Sequence, residues 1–256
     1  MASALIGHTG FVGGTLSRQH AFDDLYNSSN IETLAGKTYD LVACAAAPGL
    51  KWKANQAPEA DLASIRRLMA PFETVRVRTV VLISTVDVYP RPIAVDESTP
   101  IDRNEGPAYG RNRLLLEDFL VARFDTMVVR LPGLFGEGLK KNVIFDLLHN
   151  NCVEQVVPNA VFQFFDLERL WKDVVLSWNR GLKLVNFATE PTTVREVAAT
   201  AFGLRLARSD QPGPSSYDVR TRYASVFGAS GDYVMRKEQV LSALRAFVER
   251  QGWVRP

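Results

Sequence analysis

The chain has 256 residues, 46% of them hydrophobic, and a formal net charge of +2 at pH 7. That length suits one α/β domain with a smaller second lobe, and the near balance of charge excludes a broad nucleic-acid or acidic-membrane surface. Two cysteines, Cys44 and Cys152, exclude a disulfide framework and cannot hold a zinc ion by themselves, so no metal is expected.

No apolar run reaches the length of a membrane helix, and Met1 leads almost directly into an apolar segment rather than a signal peptide. A cytoplasmic location is the expectation. The first strand is predicted at Ser3–Ile6 and the first helix at Phe11–Gln19. Between them lie three glycines at spacing three, Gly7, Gly10 and Gly13, in the stretch Ala4-Leu-Ile-Gly-His-Thr-Gly-Phe-Val-Gly13. A strand, a tight glycine turn and a helix start present backbone N–H groups and a helix dipole to a pyrophosphate. The residues offered are Gly7, His8, Thr9, Gly10, Phe11, Val12 and Gly13.

Phe22–Tyr26 reads as a second strand, Asn30–Leu34 as one helical turn, and Tyr39–Ala45 already as the next strand. A parallel crossover needs a dozen or more residues, so a further strand does not fit in that gap. The sheet is expected to be trimmed at that edge. Cys44, inside the apolar run, is expected to be a small buried residue.

Asp61–Val75 predicts an amphipathic helix with Leu62, Ile65, Leu68, Met69 and Phe72 on one stripe. Thr79–Ser84 is a strand, Tyr109–Arg123 a helix with Leu114, Leu115, Phe119 and Leu120 inward, and Thr126–Arg130 a strand. Asn142–His149 is a helix, Leu182–Ala188 a late strand, Thr193–Phe202 a helix and Val234–Gln251 a terminal helix. The breaker-rich stretch Ser209–Ser216 is expected to be a surface loop. Strands alternating with helices predict a doubly wound parallel Rossmann-type α/β sheet.

Four segments carry a resemblance: the glycine turn, Val80-Val-Leu-Ile-Ser-Thr-Val-Asp-Val-Tyr89, Pro107-Ala-Tyr-Gly-Arg-Asn-Arg113, and Val129-Arg-Leu-Pro-Gly-Leu-Phe-Gly136. In order and spacing they resemble the extended short-chain dehydrogenase/reductases, in the nucleotide-sugar epimerase/dehydratase branch. The resemblance implies a Rossmann part at 1–131 plus about 161–190, a substrate lobe at about 132–160 plus 191–256, and one structural unit overall. It also implies a homodimer through helices 61–75 and 109–123.

The resemblance implies that Tyr109 is the general acid/base at a carbonyl or carbinol oxygen and that Thr85 holds the same oxygen. A free tyrosine titrates near pH 10, so work near pH 7 needs a cation beside it. The family supplies a lysine four residues on; here that residue is Arg113. Arginine keeps the charge, worth on the order of 3 kcal/mol at about 5 Å in an effective dielectric of about 20. Its planar head needs more room at the nicotinamide ribose. The alternative places Arg113 in solvent on a helix that has lost catalysis.

Asp87, two after the threonine, matches one of two acids of the branch's dehydratases. In an extended strand it would share a face with Thr85 and Tyr89.

No carboxylate ends the second strand. Asn27, Ser28 and Ser29 can bond a 2′-phosphate, which favours NADP; Asp23 and Asp24 keep NAD open. Ala45, Ala46 and Ala47 fall where the family packs small residues beside the cofactor. The adjacent Lys51 and Trp52, in Lys51-Trp-Lys53, can hold phosphate charge and stack a ring, or form a solvated loop. In the second lobe the resemblance implies substrate contacts at Asn142 beside Lys140 and Lys141, at Gln163, and at Arg220 beside Arg222.

The function implied is NAD(P)-dependent oxidoreductase or epimerase (isomerase) chemistry on a nucleotide-linked or similarly anionic sugar. One alternative is a nucleotide-sugar dehydratase using Asp87. The other is a non-catalytic NAD(P)-binding regulator.

Overall fold

Short apolar runs become buried strands in the computed structural model, which describes residues 2–206 and 216–253. Ser209–Ser216, except for Ser216, lies outside the described residues. The chain divides into two compact units. The first takes in the chain up to Arg91, Ser98–Arg130 and Leu170–Val185; the second takes in Pro92–Glu97, Leu131–Arg169 and the chain from Asn186 onward.

The first unit is built on strands β1 (Ser3–Ile6), β2 (Asp24–Tyr26), β3 (Thr38–Cys44), β4 (Arg76–Thr85), β5 (Asp125–Leu131) and β6 (Leu184–Asn186). They form one sheet in the order β6-β5-β4-β3-β1-β2. The β1–β2, β1–β3 and β3–β4 pairs are parallel. The usual doubly wound order has a further strand outside β2. Here β2 is the edge, because only the single turn Ile31–Leu34 separates it from β3 in helical form. The expected trimming is therefore observed.

Helices α1 (Phe11–Gln19), α2 (Lys51–Gln56), α3 (Pro58–Met69), α4 (Ala108–Val121) and α5 (Leu170–Asn179) complete this unit. Alternate strand residues Ala4, Ile6, Val42, Cys44, Val80 and Leu82 share a core with Ile65, Leu68 and Phe72 on one side and Leu116, Phe119 and Leu120 of α4. Their neighbours Leu5, Ala43 and Val81 are also fully buried, so both sheet faces are covered. Cys44 lies in this core, where burial pushes its thiol up to about 11.

The predicted helix 61–75 is two elements: α3 ends at Met69, and Pro71 turns the chain through Ala70–Glu73 in a tighter helical turn. Pro58 at the first turn moves the start of α3 forward, since proline there loses no helical hydrogen bond.

In the second unit Gly133–Phe135 pairs with Phe164–Asp166 in parallel, and Ile93–Val95 pairs with Asp218–Val219. These pairings draw residues 92–97 and 161–169 into the second unit, shifting the expected boundary. Phe135, Phe165, Phe187, Phe202 and Phe247 are buried there, with Phe165 and Phe187 ring centres 5.2 Å apart. The predicted helix 193–202 is split. Val194–Val197 is capped by Thr193 and Glu196, and Ala198–Phe202 continues as a wider turn ending at Gly203. The terminal helix is Lys237–Arg250, starting after the predicted Val234.

Candidate active site

The glycine turn is shaped by space as much as by dihedral freedom. Gly7 has φ of +93°, and a Cβ there would sit 2.6 Å from the Ala45 carbonyl oxygen. A Cβ on Gly13 would overlap the Gly7 carbonyl, whereas one on Gly10 would meet only Gly7 O at 3.3 Å. The two outer glycines therefore let α1 close onto the end of β1 and the Ala45–Ala46 backbone. Gly10, at the helix N-cap, leaves the mouth of the turn open and provides no side-chain cap for α1. Gly7 N donates to Tyr26 O at 2.7 Å, and His8 Nδ1 lies 3.0 Å from the same oxygen. The turn is thus tied to the C-terminal end of β2. A Cβ-free cradle at a helix N-terminus fits a dinucleotide pyrophosphate.

Asp23, just before β2, and Asp24, its first residue, are both engaged elsewhere. Asp23 accepts from Ser3 N and Ser3 Oγ, which hold its carboxyl below the usual range. Asp24 accepts from Tyr39, from Tyr26 and from Lys37 Nζ at 3.2 Å. The turn after β2 closes on itself: Asn27 Oδ1 accepts from Ser29 N and Ser29 Oγ, and Asn30 Oδ1 accepts from Asn27 N. Arg67 reaches this turn, donating to Ser28 O at 3.3 Å while pairing with Glu32. Arg67 is distant in sequence from this turn, and sequence reading did not find it.

Tyr109 and Thr85 meet through a side-chain hydrogen bond. The predicted extended face of Thr85, Asp87 and Tyr89 does not form. The β4 strand ends at Thr85, and Val86–Val88 makes a short helical turn closed by Asp87 N donating to Thr85 Oγ1 at 3.1 Å. Tyr89 is carried into the interior, where its hydroxyl accepts from Arg130 Nη1 at 2.9 Å. Asp87 instead pairs with Lys51 Nζ at 2.7 Å. Gly110 allows this corner to form, because a Cβ there would overlap the Asp87 carbonyl. That glycine carries no pattern in the sequence, and only the packing of α4 against the β4 turn reveals it.

Arg113 is neither solvent-facing nor directed along the ring edge to the tyrosine hydroxyl. It is 2% exposed. Its two terminal nitrogens clamp the Asp61 carboxylate, one of them at 2.9 Å, and also donate to Pro48 O and Tyr109 O. The guanidinium carbon stacks 3.9 Å from the Tyr109 ring centre. Its Nε is buried without a hydrogen-bond partner, alone in this among buried side-chain atoms of the described residues. The expectation that Arg113 would depress the tyrosine is corrected. Its pull exists, but burial outweighs it and Asp87 opposes it, so the Tyr109 hydroxyl titrates above the usual value.

Asp61 stood on the predicted apolar stripe's helix with no role; it is buried and also accepts from Asn112 Nδ2 at 2.8 Å. Behind the site, Arg130 and Glu117 form a second buried pair at 2.6 Å, with Ser84 donating to Glu117. Lys51-Trp-Lys53 lies on helix α2 rather than in a loop, with Trp52 65% exposed.

The residues predicted in the second unit behave differently. Asn142 caps Val143–His149, accepting from Ile144 N and Phe145 N and donating to Leu134 O. Gln163 is buried, with its amide nitrogen donating to Thr189 O and Val219 O and its oxygen accepting from Val219 N at 2.9 Å. With both amide hydrogens committed to backbone carbonyls, the buried Gln163 side chain holds backbone segments of its unit together. Arg220 pairs with Asp218 at 2.9 Å and remains partly exposed. No helix among the described residues is long and apolar enough to cross a membrane.

Neither a protein-family model nor a curated protein sequence matches the chain. Solved structures match it along nearly its whole length. A dTDP-4-dehydrorhamnose reductase from Clostridium acetobutylicum is 15% identical, covers 98% of this chain and 100% of its own, and gives a TM-score of 0.74. The NAD-dependent NDP-hexosamine 5,6-dehydratase of tunicamycin biosynthesis is 21% identical, with 97% of each chain covered and a TM-score of 0.74. UDP-glucose 4-epimerase from Thermotoga maritima is 14% identical over 97% of this chain and 98% of its own, with a TM-score of 0.73. The fold is the one that these reductase, dehydratase and epimerase structures share, which is the fold that the sequence resemblance implied.

Proposed function

We propose that the protein binds a nicotinamide dinucleotide at Gly7–Gly13 and performs redox or epimerising chemistry on a nucleotide-linked sugar. The observation that carries this is one unit holding both a glycine cradle at a helix N-terminus and a hydrogen-bonded Thr85–Tyr109 pair. Gly7, Gly10 and Gly13 admit the pyrophosphate, and Ala45–Ala46 leave room beside it. The engagement of Asp23 and Asp24 leaves no carboxylate for a ribose 2′-hydroxyl, which favours NADP over NAD. When bound, the nicotinamide supplies hydride transfer to or from a sugar carbon.

The chain's own residues handle the oxygen on that carbon. Tyr109 is neutral at pH 7, so its hydroxyl donates to a carbonyl oxygen that gains negative charge. Thr85 holds the same oxygen and orients Tyr109 when substrate is absent. In the reverse direction Tyr109 must be ionised, which burial and Asp87 disfavour. The form of Tyr109 present at neutral pH is therefore the proton donor that the reductive direction starts from. Structures of the same fold are described in complex with UDP-glucuronic acid and NAD, and with NADPH; they support the substrate and cofactor classes.

The test is a fluorescence titration of wild type and Gly10→Val with NADPH and NADH. Wild type is expected to bind, with NADPH at least as tight, and the variant is expected to lose binding while staying folded. A panel of nucleotide-linked keto-sugars then reads turnover, which Tyr109→Phe is expected to abolish. Turnover that persists in Tyr109→Phe would overturn the assigned role.

A further inference from the structure

The turn that follows β2 is tied to the glycine cradle. Tyr26 O, the last carbonyl before it, accepts from Gly7 N at 2.7 Å and lies 3.0 Å from His8 Nδ1. In a doubly wound sheet, the carboxyl end of this strand faces the adenosine ribose of a dinucleotide whose pyrophosphate rests on the glycine turn. A carboxylate there accepts from the ribose 2′-hydroxyl, whereas an arginine there accommodates a 2′-phosphate. The turn is held in one shape: Asn27 Oδ1 accepts from Ser29 N, Asn30 Oδ1 accepts from Asn27 N, and Asn30 Nδ2 donates to Leu25 O at 3.0 Å. Ser28 and Ser29 are exposed on it.

The trimmed edge of the sheet brings a cation to this turn. Only Ile31–Leu34 intervenes in helical form between β2 and β3, and its Ile31 and Leu34 share one core with Ile65 and Leu68 of α3. Arg67, between those two core residues in the last turn of α3, keeps 61% of its side chain exposed. Its Nη2 donates to Ser28 O at 3.3 Å and to Glu32 Oε1 at 3.1 Å. Glu32 is itself 77% exposed, so this ion pair costs little to open. A phosphate dianion, with more charge and three acceptor oxygens, is the stronger partner for a guanidinium than one carboxylate.

We propose that Arg67 is the residue that selects the phosphorylated cofactor: its guanidinium exchanges Glu32 for the 2′-phosphate of NADP, with the Ser28 and Ser29 hydroxyls as further donors on the same turn. This rests on the reading of Gly7–Gly13 as a nicotinamide dinucleotide site and deepens it by naming the specificity residue. Arg67 comes from α3, not from the β2 strand or the glycine turn. It reaches the turn because no further strand and crossover stand between β2 and β3.

The experiment measures dissociation constants for NADPH and NADH by nicotinamide fluorescence in wild type, Arg67→Met, Arg67→Lys and Glu32→Gln. Wild type is expected to bind NADPH more tightly than NADH. Arg67→Met is expected to weaken NADPH about tenfold and to leave NADH unchanged. Arg67→Lys, which keeps a point charge without the planar fork, is expected to retain part of the preference. Glu32→Gln removes the competing carboxylate and is expected to tighten NADPH alone. An unchanged ratio of the two constants in Arg67→Met overturns the assignment. So does an equal loss of both cofactors, since Arg67 would then only hold the turn against α3. Weakened NADH binding in Glu32→Gln overturns it as well, because Glu32 would then be the acceptor for the ribose hydroxyls. If wild type binds NADH at least as tightly as NADPH, Arg67 loses its role while the dinucleotide site stands. If wild type binds neither, the proposed function fails and this inference with it.

Discussion

Arg113–Asp61 and Lys51–Asp87 stand beside the same tyrosine, the first with side chains 2% and 5% exposed, the second 43% and 19%. Burial decides what each can do. A buried pair cannot lose one member without leaving an unpaired charge in a low dielectric, so it behaves as a rigid fixture. A half-exposed pair costs little to open, because water takes over the solvation of both ends. A cation's position along a helix therefore says less about its chemistry than the fate of its counter-ion.

The largest effect expected is from Arg113→Ala, which strands Asp61 and frees the Pro48 segment. It should lower unfolding free energy by about 3–5 kcal/mol in urea denaturation. A loss below about 1 kcal/mol would remove the distinction between the pairs. Arg113→Lys restores the resembling family's residue, yet an ammonium cannot clamp both Asp61 oxygens and reach Pro48 O together. It should recover only part of the loss.

Next is Gly13→Ala, where the new Cβ overlaps the Gly7 carbonyl. The turn must open, so NADPH binding should fall at least about tenfold by fluorescence titration, with a lowered melting temperature. Gly10→Ala brings its methyl to 3.3 Å from Gly7 O, a tight contact that a small shift relieves, and should cost far less. Equal effects at 10 and 13 would contradict the cradle geometry.

The third concerns pH. Tyr109 titrates higher in the folded state than the usual value near 10. Between those two values the folded state holds the extra proton. This contribution to stability is therefore whole below about pH 10 and is lost as pH rises through the folded value. Tyr39 is also raised, and Tyr233 is pushed up to about 12. The difference between wild type and Tyr109→Phe, measured by denaturation from pH 8 to 11, isolates Tyr109. The wild type should lose stability more steeply; parallel curves would deny the shift.

The smallest effect is that of Lys51→Met on stability, expected within about 1 kcal/mol of wild type. A larger loss would make this pair a structural fixture like the first.

The glycine turn was legible because its spacing reports a backbone requirement that is local in sequence. The roles of Thr85 and Tyr109 are implied only by the resemblance, and the structure adds their hydrogen bond. Asp61, Asn55, which accepts from Tyr109 N, and Gly110 were not legible. Each matters through a partner 50 or so residues away or through a backbone contact, and neither leaves a periodic trace. Asn142 and Gln163, which the resemblance gives as substrate contacts, make hydrogen bonds to their own unit's backbone that the sequence does not announce.

By itself, the sequence determined the alternation of strands and helices, the missing edge strand and the glycine turn. All three follow from local spacing, chain length and backbone sterics. Only the tertiary structure decided which cation meets which carboxylate at Tyr109, because that depends on how far each side chain is desolvated once α2, α3 and α4 pack.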